Sequence, residues 1–163
     1  MQRRDFLRFT LAGAAGLTLG GCGFRLRGFD EPALDLEALA VAGASGEFSR
    51  QVTRRLESAG VAVRDDAPMV LNLGAERIEE QRLGVLSSGS QERELTLSVP
   101  FSVQRRRDGA YRLDQQVVEV SERYSISDSN LLVGDELREA ASERLRREGV
   151  RRLMDRLRAL SPN

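Results

Sequence analysis

Glu94-Leu95-Thr96-Leu97-Ser98-Val99-Pro100-Phe101-Ser102-Val103 alternates apolar and polar residues without a break. Leu95, Leu97, Val99, Phe101 and Val103 face one way; Thr96, Ser98, Pro100 and Ser102 face the other. A period of two predicts a strand with one face in the core and the other outside it. Pro100 has no amide hydrogen, so the strand is expected to be an edge there or to carry a bulge. Asp108-Gly109 follows, a hairpin signal between two strand patterns. The return strand collects Tyr111, Leu113 and Val117, then Val118, Val120, Tyr124 and Ile126. Its apolar parity changes at Val117-Val118, which predicts a bulge at that pair.

Working outward, Leu86-Ser87-Ser88-Gly89-Ser90-Gln91 reads as a hairpin tip. Before it, Met69 to Leu73 is β-favourable and is expected to continue through Ile78 toward Leu83 as one strand, entered from the turn Asp65-Asp66-Ala67-Pro68. Phe48, Val52, Leu56 and Ala59 recur at helical spacing, with Ser45 as the expected cap, Glu47 in the first turn and Gly60 at the C′ position. Leu36 to Ala42 is the expected first strand. At the other end, Ser125 to Gly134 reads as a loop and Asp135 as the cap of a helix running to about Leu160. The stripe of that helix is Leu137, Ala141, Leu145, Val150, Leu153, Leu157 and Leu160. Gly149 inside it costs about 1 kcal/mol against Ala, which predicts a kink or a close contact. The order is β-α-β-β-β-α: a parallel crossover through the first helix, then antiparallel hairpins. The expected fold is an α/β (α+β) two-layer sandwich, a four-stranded mixed sheet covered on one face by two helices.

The chain has 163 residues, 25 basic and 25 acidic. Every basic residue is Arg; Lys, His and Trp are absent. Leu19-Gly20-Gly21-Cys22 follows a short apolar run and has the form of a lipobox, with cleavage between Gly21 and Cys22 and acylation of Cys22. The run from Phe9 to Gly21 is too short for a spanning helix, which needs about 20 residues, and reads as a signal segment. Gln2-Arg3-Arg4-Asp5-Phe6-Leu7-Arg8 resembles a twin-arginine export motif through Arg3 and Arg4; an ordinary secretory signal is the other reading. The expected organisation is a signal peptide over 1–21, a lipidated tether over 22–33, one domain over 34–160 and a tail over 161–163. Three basic residues and one acidic residue precede Cys22, so the remainder carries 22 basic and 24 acidic residues. A net negative chain argues against a nucleic-acid partner.

Catalytic chemistry has little to stand on. Without His or Lys the commonest general base and Schiff-base nucleophile are missing. The one Cys is assigned to lipid, which removes a thiolate nucleophile and thiolate metal ligands. No catalytic residue, metal or cofactor is expected beyond the covalent N-acyl and S-diacylglycerol groups on Cys22. What remains is anion recognition, because a guanidinium fork matches phosphate oxygens. Arg105, Arg106 and Arg107 sit at one hairpin tip, and Arg82 and Arg93 are expected opposite each other across the other. For either group taken alone, a solvated loop or a strand end guarded against edge pairing is the simpler reading.

Cys22-Gly23-Phe24-Arg25-Leu26-Arg27-Gly28 resembles the opening of the LPS-assembly lipoproteins, the LptE family: a lipidated Cys, Gly, an aromatic residue, a variable one, Leu and Arg. The resemblance extends by length and element order to about Leu160. It implies a non-enzymatic outer-membrane lipoprotein inside the lumen of a large LptD-like β-barrel, the lipopolysaccharide translocon. There it would plug the barrel, help assemble it and contact lipopolysaccharide. Gly23 after the acylated Cys fits outer-membrane sorting. Basic residues that some members carry at the second hairpin tip and before the last helix are replaced here by Leu86 to Ser88 and Gly134. The alternative function is a periplasm-facing lipoprotein that holds a small anionic ligand.

Overall fold

In a computed structural model, which describes residue 34 and residues 36–85, 90–127 and 131–160, the elements run β1 (Ala38–Gly43), α1 (Glu47–Ser58), β2 (Ala62–Val63), β3 (Met69–Leu73), β4 (Arg77–Val85), β5 (Ser90–Arg105), β6 (Tyr111–Ser127) and α2 (Leu131–Arg158). The expected signal peptide, tether and C-terminal tail, and the hairpin tip at 86–89, lie outside the described residues.

The alternating stretch is the spine of the sheet. Leu95, Leu97, Val99, Phe101 and Val103 are all buried, three of them completely. Each such side chain contributes roughly 1.5–3 kcal/mol by leaving water. They pack beneath Phe48, Val52 and Leu56 of α1 and Ala141, Leu145, Val150, Leu153 and Leu157 of α2. The two helices therefore cover one face, as the periodicities predict.

β6 pairs with β5 from Ser90 to Gln104 and occupies one of its edges. The other edge takes β3 and β4 end to end, Met69–Leu73 against Phe101–Arg105 and Arg77–Val85 against Gln91–Ser98. The single strand expected over Met69–Leu83 is thus two strands with a break at Gly74-Ala75-Glu76. Pro100 stands opposite that break. It has no N–H to give, and its carbonyl accepts the Gly74 N–H at 2.7 Å. A Cβ on Gly74 would lie 3.1 Å from the Pro100 ring, so glycine lets the kinked chain press against it. The expected irregularity at Pro100 is therefore present. The break, together with the two-residue β2 alongside β1, makes six strands rather than four. β1 and β3 are parallel, joined through α1, and the longer strands are antiparallel.

Four local expectations shift. β1 starts two residues later than expected and ends at Gly43. The N-cap of α1 is Gly46, not Ser45; Ser49 Oγ accepts the Gly46 N–H at 3.1 Å. The irregularity in β6 lies between Tyr111 and Gln116, where the pairs Phe101–Gln116, Val103–Leu113 and Gln104–Tyr111 show β6 carrying extra residues. Val117 pairs regularly with Pro100 and points outward, 52% exposed, so the two adjacent valines mislocate the change of face. Finally, β6 runs to Ser127 and α2 begins at Leu131, so Asp135 lies inside the helix and caps nothing. Gly134 packs on Ile126, where a Cβ would come to 3.3 Å. Packing of this first turn on β6 overrides glycine's poor helix propensity. Gly149 makes the close contact that was one of the two expectations. α2 is continuous, and a Cβ there would sit 2.7 Å from Leu97 Cδ2 and 3.0 Å from Phe48 Cε2.

Candidate functional site

The two arginine groups fall at opposite ends of β5. Arg93 and Arg105 are separated by about 40 Å at roughly 3.3 Å per residue, so they cannot serve one phosphate.

Near the first end, Arg82 and Arg93 are opposite each other in the β4–β5 ladder, as expected. Their side chains share the helix-covered face, but Arg93 is engaged. It donates from Nη1 to Glu80 Oε1 and from Nη2 to Gln91. Glu80 also accepts from the Tyr124 hydroxyl at 3.0 Å and from Arg138 Nε at 3.0 Å. One carboxylate thereby joins β4, β5, β6 and α2. Partial burial pushes the Glu80 carboxyl up, but hydrogen bonds from Arg93, Tyr124 and Arg138 outweigh it and leave the group below the usual carboxylate range. Burial and the adjacent Glu80 raise Tyr124 above an ordinary phenol. The cluster is a structural latch.

At the second end, the turn after β5 brings Arg105, Arg106, Arg107 and Arg112 around Pro68 and Met69, enclosing a hollow of about 540 Å³. Local chemistry builds it. Gly109 adopts a positive φ of 67°, and Ala110 N–H donates to Asp108 Oδ1 at 3.1 Å, which closes the turn. Arg106 pins the turn to the segment before β3: its backbone N–H donates to the Pro68 carbonyl and its Nε to the Ala67 carbonyl, both at 2.8 Å. Met69 lies opposite Arg105 in the ladder. Asp108 pairs with Arg105 at 3.1 Å and Arg107 at 3.4 Å. Arg112 has no ion pair among the described residues. Four guanidinium groups thus face one carboxylate, above an apolar floor.

Several other charged groups are paired. In the groove between α1 and α2, Arg54 is held by Glu47 at 3.1 Å and Arg151 by Glu148, while Glu143 lines the groove beside Arg147. Arg146 is largely buried and is met by Glu76 at 2.7 Å, Glu143 at 2.8 Å and Glu139 at 3.7 Å. Among the described residues no cluster of acidic or thiol groups is placed to hold a metal ion. No described helix is long and apolar enough to cross a membrane. Cys22, Gly21, Arg3 and Arg4 lie outside the described residues, as do Leu86 to Ser88.

Arg112, Pro68 and Met69 escaped the sequence reading. Counting back across the Asp108-Gly109 turn would have brought Arg112 beside Arg105–Arg107. No local pattern would have placed Pro68 and Met69 there, because their approach depends on long-range pairing of β3 with β5. Glu80 and Arg138 escaped for the same reason: their partners are far away in sequence.

Comparison with known proteins adds a family. The model for LptE, described as lipopolysaccharide-assembly, matches residues 29–157. Among curated protein sequences, none matches the chain. Among solved structures, the chain is similar to rare lipoprotein B from Shewanella oneidensis, at 22% identity and a TM-score of 0.65 over 75% of this chain and 94% of that one. It is also similar to an uncharacterised lipoprotein B from Nitrosomonas europaea, at 18% identity and 0.64 over 83% and 88%. A minor lipoprotein from Acinetobacter baumannii gives 15% identity and 0.62 over 76% and 91%. At these identities the structures speak for the fold.

Proposed function

We propose, from the premise that this chain belongs to the LptE lipopolysaccharide-assembly family, that it is a non-enzymatic subunit of an outer-membrane lipopolysaccharide translocon. In this reading Cys22 is acylated after cleavage at Gly21 and tethers the domain to the outer membrane. Arg3 and Arg4 direct export. The domain plugs and helps assemble a large β-barrel partner, and its arginines meet the phosphates of lipopolysaccharide. The observation that carries the reading is the family match, which spans every strand and nearly all of α2.

Two physical features support it. The domain has one helix-covered sheet face, while the outward positions of β4 to β6 include Thr96, Ser98, Ser121, Glu79, Gln81 and Arg123. Such a face is suited to a polar wall, not to lipid tails. At the turn after β5, Arg105, Arg106, Arg107 and Arg112 outnumber Asp108, and an anionic headgroup can reach them there.

Affinity purification of the full chain, tagged at its C-terminus, from mildly solubilised outer membranes tests the reading. A large β-barrel protein should co-purify in fixed proportion. Recovery of a solitary lipoprotein would sink the translocon reading and favour a stand-alone anion binder.

A further inference from the structure

β6 leaves one side of its backbone without a strand. Among the described residues it pairs with β5 alone, and its regular stretch runs from Val117, opposite Pro100, to Ser127, opposite Ser90. In an antiparallel ladder the N–H and C=O of one residue point to the same side, and successive residues alternate. The Glu119 carbonyl accepts from Arg152 Nη1 of α2 at 2.7 Å, so it points away from β5. Val117, Ser121, Arg123 and Ser125 share its parity, and all five residues are exposed. An edge of this kind is a template for a further strand.

We infer that the open edge of β6 is a strand-addition surface for a second copy of this chain, and that Arg152 holds it shut.

Charge complementarity selects the occupant and the register. Two copies of β6 laid antiparallel about a two-fold axis at Ser121 bring Glu119 opposite Arg123 of the second copy. The symmetry repeats that pair, as a self-complementary interface requires. Val117, 52% exposed, falls opposite Ser125 of the second copy. A two-fold at Glu119 sets two carboxylates face to face and one at Arg123 two guanidinium groups, and like charges directly opposite destabilise a sheet. Two-folds at Val120 or Glu122 bring neither Glu119 nor Arg123 opposite a charge of the other sign. Arg123 meets Glu94 on β5 through Nε at 3.1 Å and is 65% exposed, so its Nη groups can reach a second carboxylate.

The lock is local. Arg152 is 55% exposed and divides its guanidinium between the Glu119 carbonyl and Glu148, the latter at 3.3 Å. An added strand in this register needs the same carbonyl as acceptor for the Arg123 N–H. It therefore displaces Arg152 in each copy. Arg156 on Gln116 and Arg144 on Glu122 lie to either side and hold further polar groups of β6 against α2. Charged side chains over an unpaired strand are a known means of keeping edges apart.

Sedimentation velocity of the full chain in a density-matched non-ionic detergent tests the inference, with circular dichroism to check that each variant keeps its fold. Wild type should be mainly monomer. Arg152→Ala should dimerise at least tenfold more tightly than wild type. Adding Glu119→Arg to Arg152→Ala sets arginines opposite each other and should weaken the dimer at least tenfold. Adding Arg123→Glu as well restores opposite charges with their places exchanged and should strengthen it again at least threefold. Glu79→Arg, the same charge change on the exposed face of β4, should leave the Arg152→Ala dimer within twofold. Arg152→Ala as monomeric as wild type would overturn both the surface and its lock. A dimer unmoved by Glu119→Arg, or not strengthened by the exchange, would overturn pairing through β6. Species larger than a dimer would overturn the closed two-fold. The inference goes beyond the subunit reading and does not depend on it: co-purification of a barrel is a separate measurement.

Discussion

Removing the Glu80 carboxylate tests the assignment of Arg93 to structure instead of to ligand. In Glu80→Ala, Arg93, Arg138 and the Tyr124 hydroxyl lose their common acceptor. The Glu80 and Arg93 side chains are each 23% exposed. Their bond is sheltered enough to contribute about 1–2 kcal/mol, and the Tyr124 bond adds about 1 kcal/mol. Arg138 is 47% exposed and its pairing adds a few tenths of a kcal/mol, roughly the value of a surface ion pair. The expected loss is about 2–3 kcal/mol, or roughly 8 °C in the unfolding midpoint of a domain this size. Urea unfolding followed by circular dichroism measures it. A pH series with Glu80→Gln adds a signature that mere packing lacks. The Glu80 carboxyl is depressed in the folded state, so its stabilisation is fully present above the unfolded carboxylate value of about 4.3. It is lost as pH falls through the lower folded value. The stability gap between wild type and Glu80→Gln should be widest near neutrality and close in acid. A gap below about 0.5 kcal/mol, the ordinary range for surface substitutions, or one that does not change with pH, would refute the latch and return Arg93 to the pool of available cations.

Two further outcomes follow from single positions. Gly149→Val should lower the urea midpoint by an amount equivalent to about 1–3 kcal/mol of overpacking, because its Cβ would sit 2.7 Å from Leu97 Cδ2. A variant as stable as wild type would mean that α2 does not approach β5 so closely. Under the proposed anchoring, Cys22→Ser should move the protein from the membrane pellet to the soluble periplasmic fraction; unchanged pelleting would contradict the lipid tether.

The layers of the fold were legible because they depend on local period. Leu95 to Val103 alternate, Phe48 to Leu56 repeat at helical spacing, and both patterns survive in the buried faces. Boundaries were less legible where tertiary contact decides. Nothing local marks the turn of α2 that precedes Asp135, because it is Gly134 against Ile126 that rewards it. The break between β3 and β4 was announced by Pro100, but on the neighbouring strand, so the sequence of Met69–Leu83 reads as continuous. The same distinction governs the candidate site. Arg105 to Arg107 are conspicuous as a run, and their surplus charge is visible in sequence. The commitment of Arg93 to structure depends on Glu80 and Arg138, which lie 13 and 45 residues from it. Only the sheet register and the packing of α2 bring them together.

The subunit claim itself is most directly tested in intact cells. A photoreactive amino acid placed at Ser98 or Ser121, neighbours on the outward face of β5 and β6, reports what lies against the sheet. Irradiation should yield one dominant adduct with a large outer-membrane β-barrel protein from both positions. Absence of any such adduct from either position, with the protein present at normal levels in the outer membrane, would contradict the placement of this domain within a barrel.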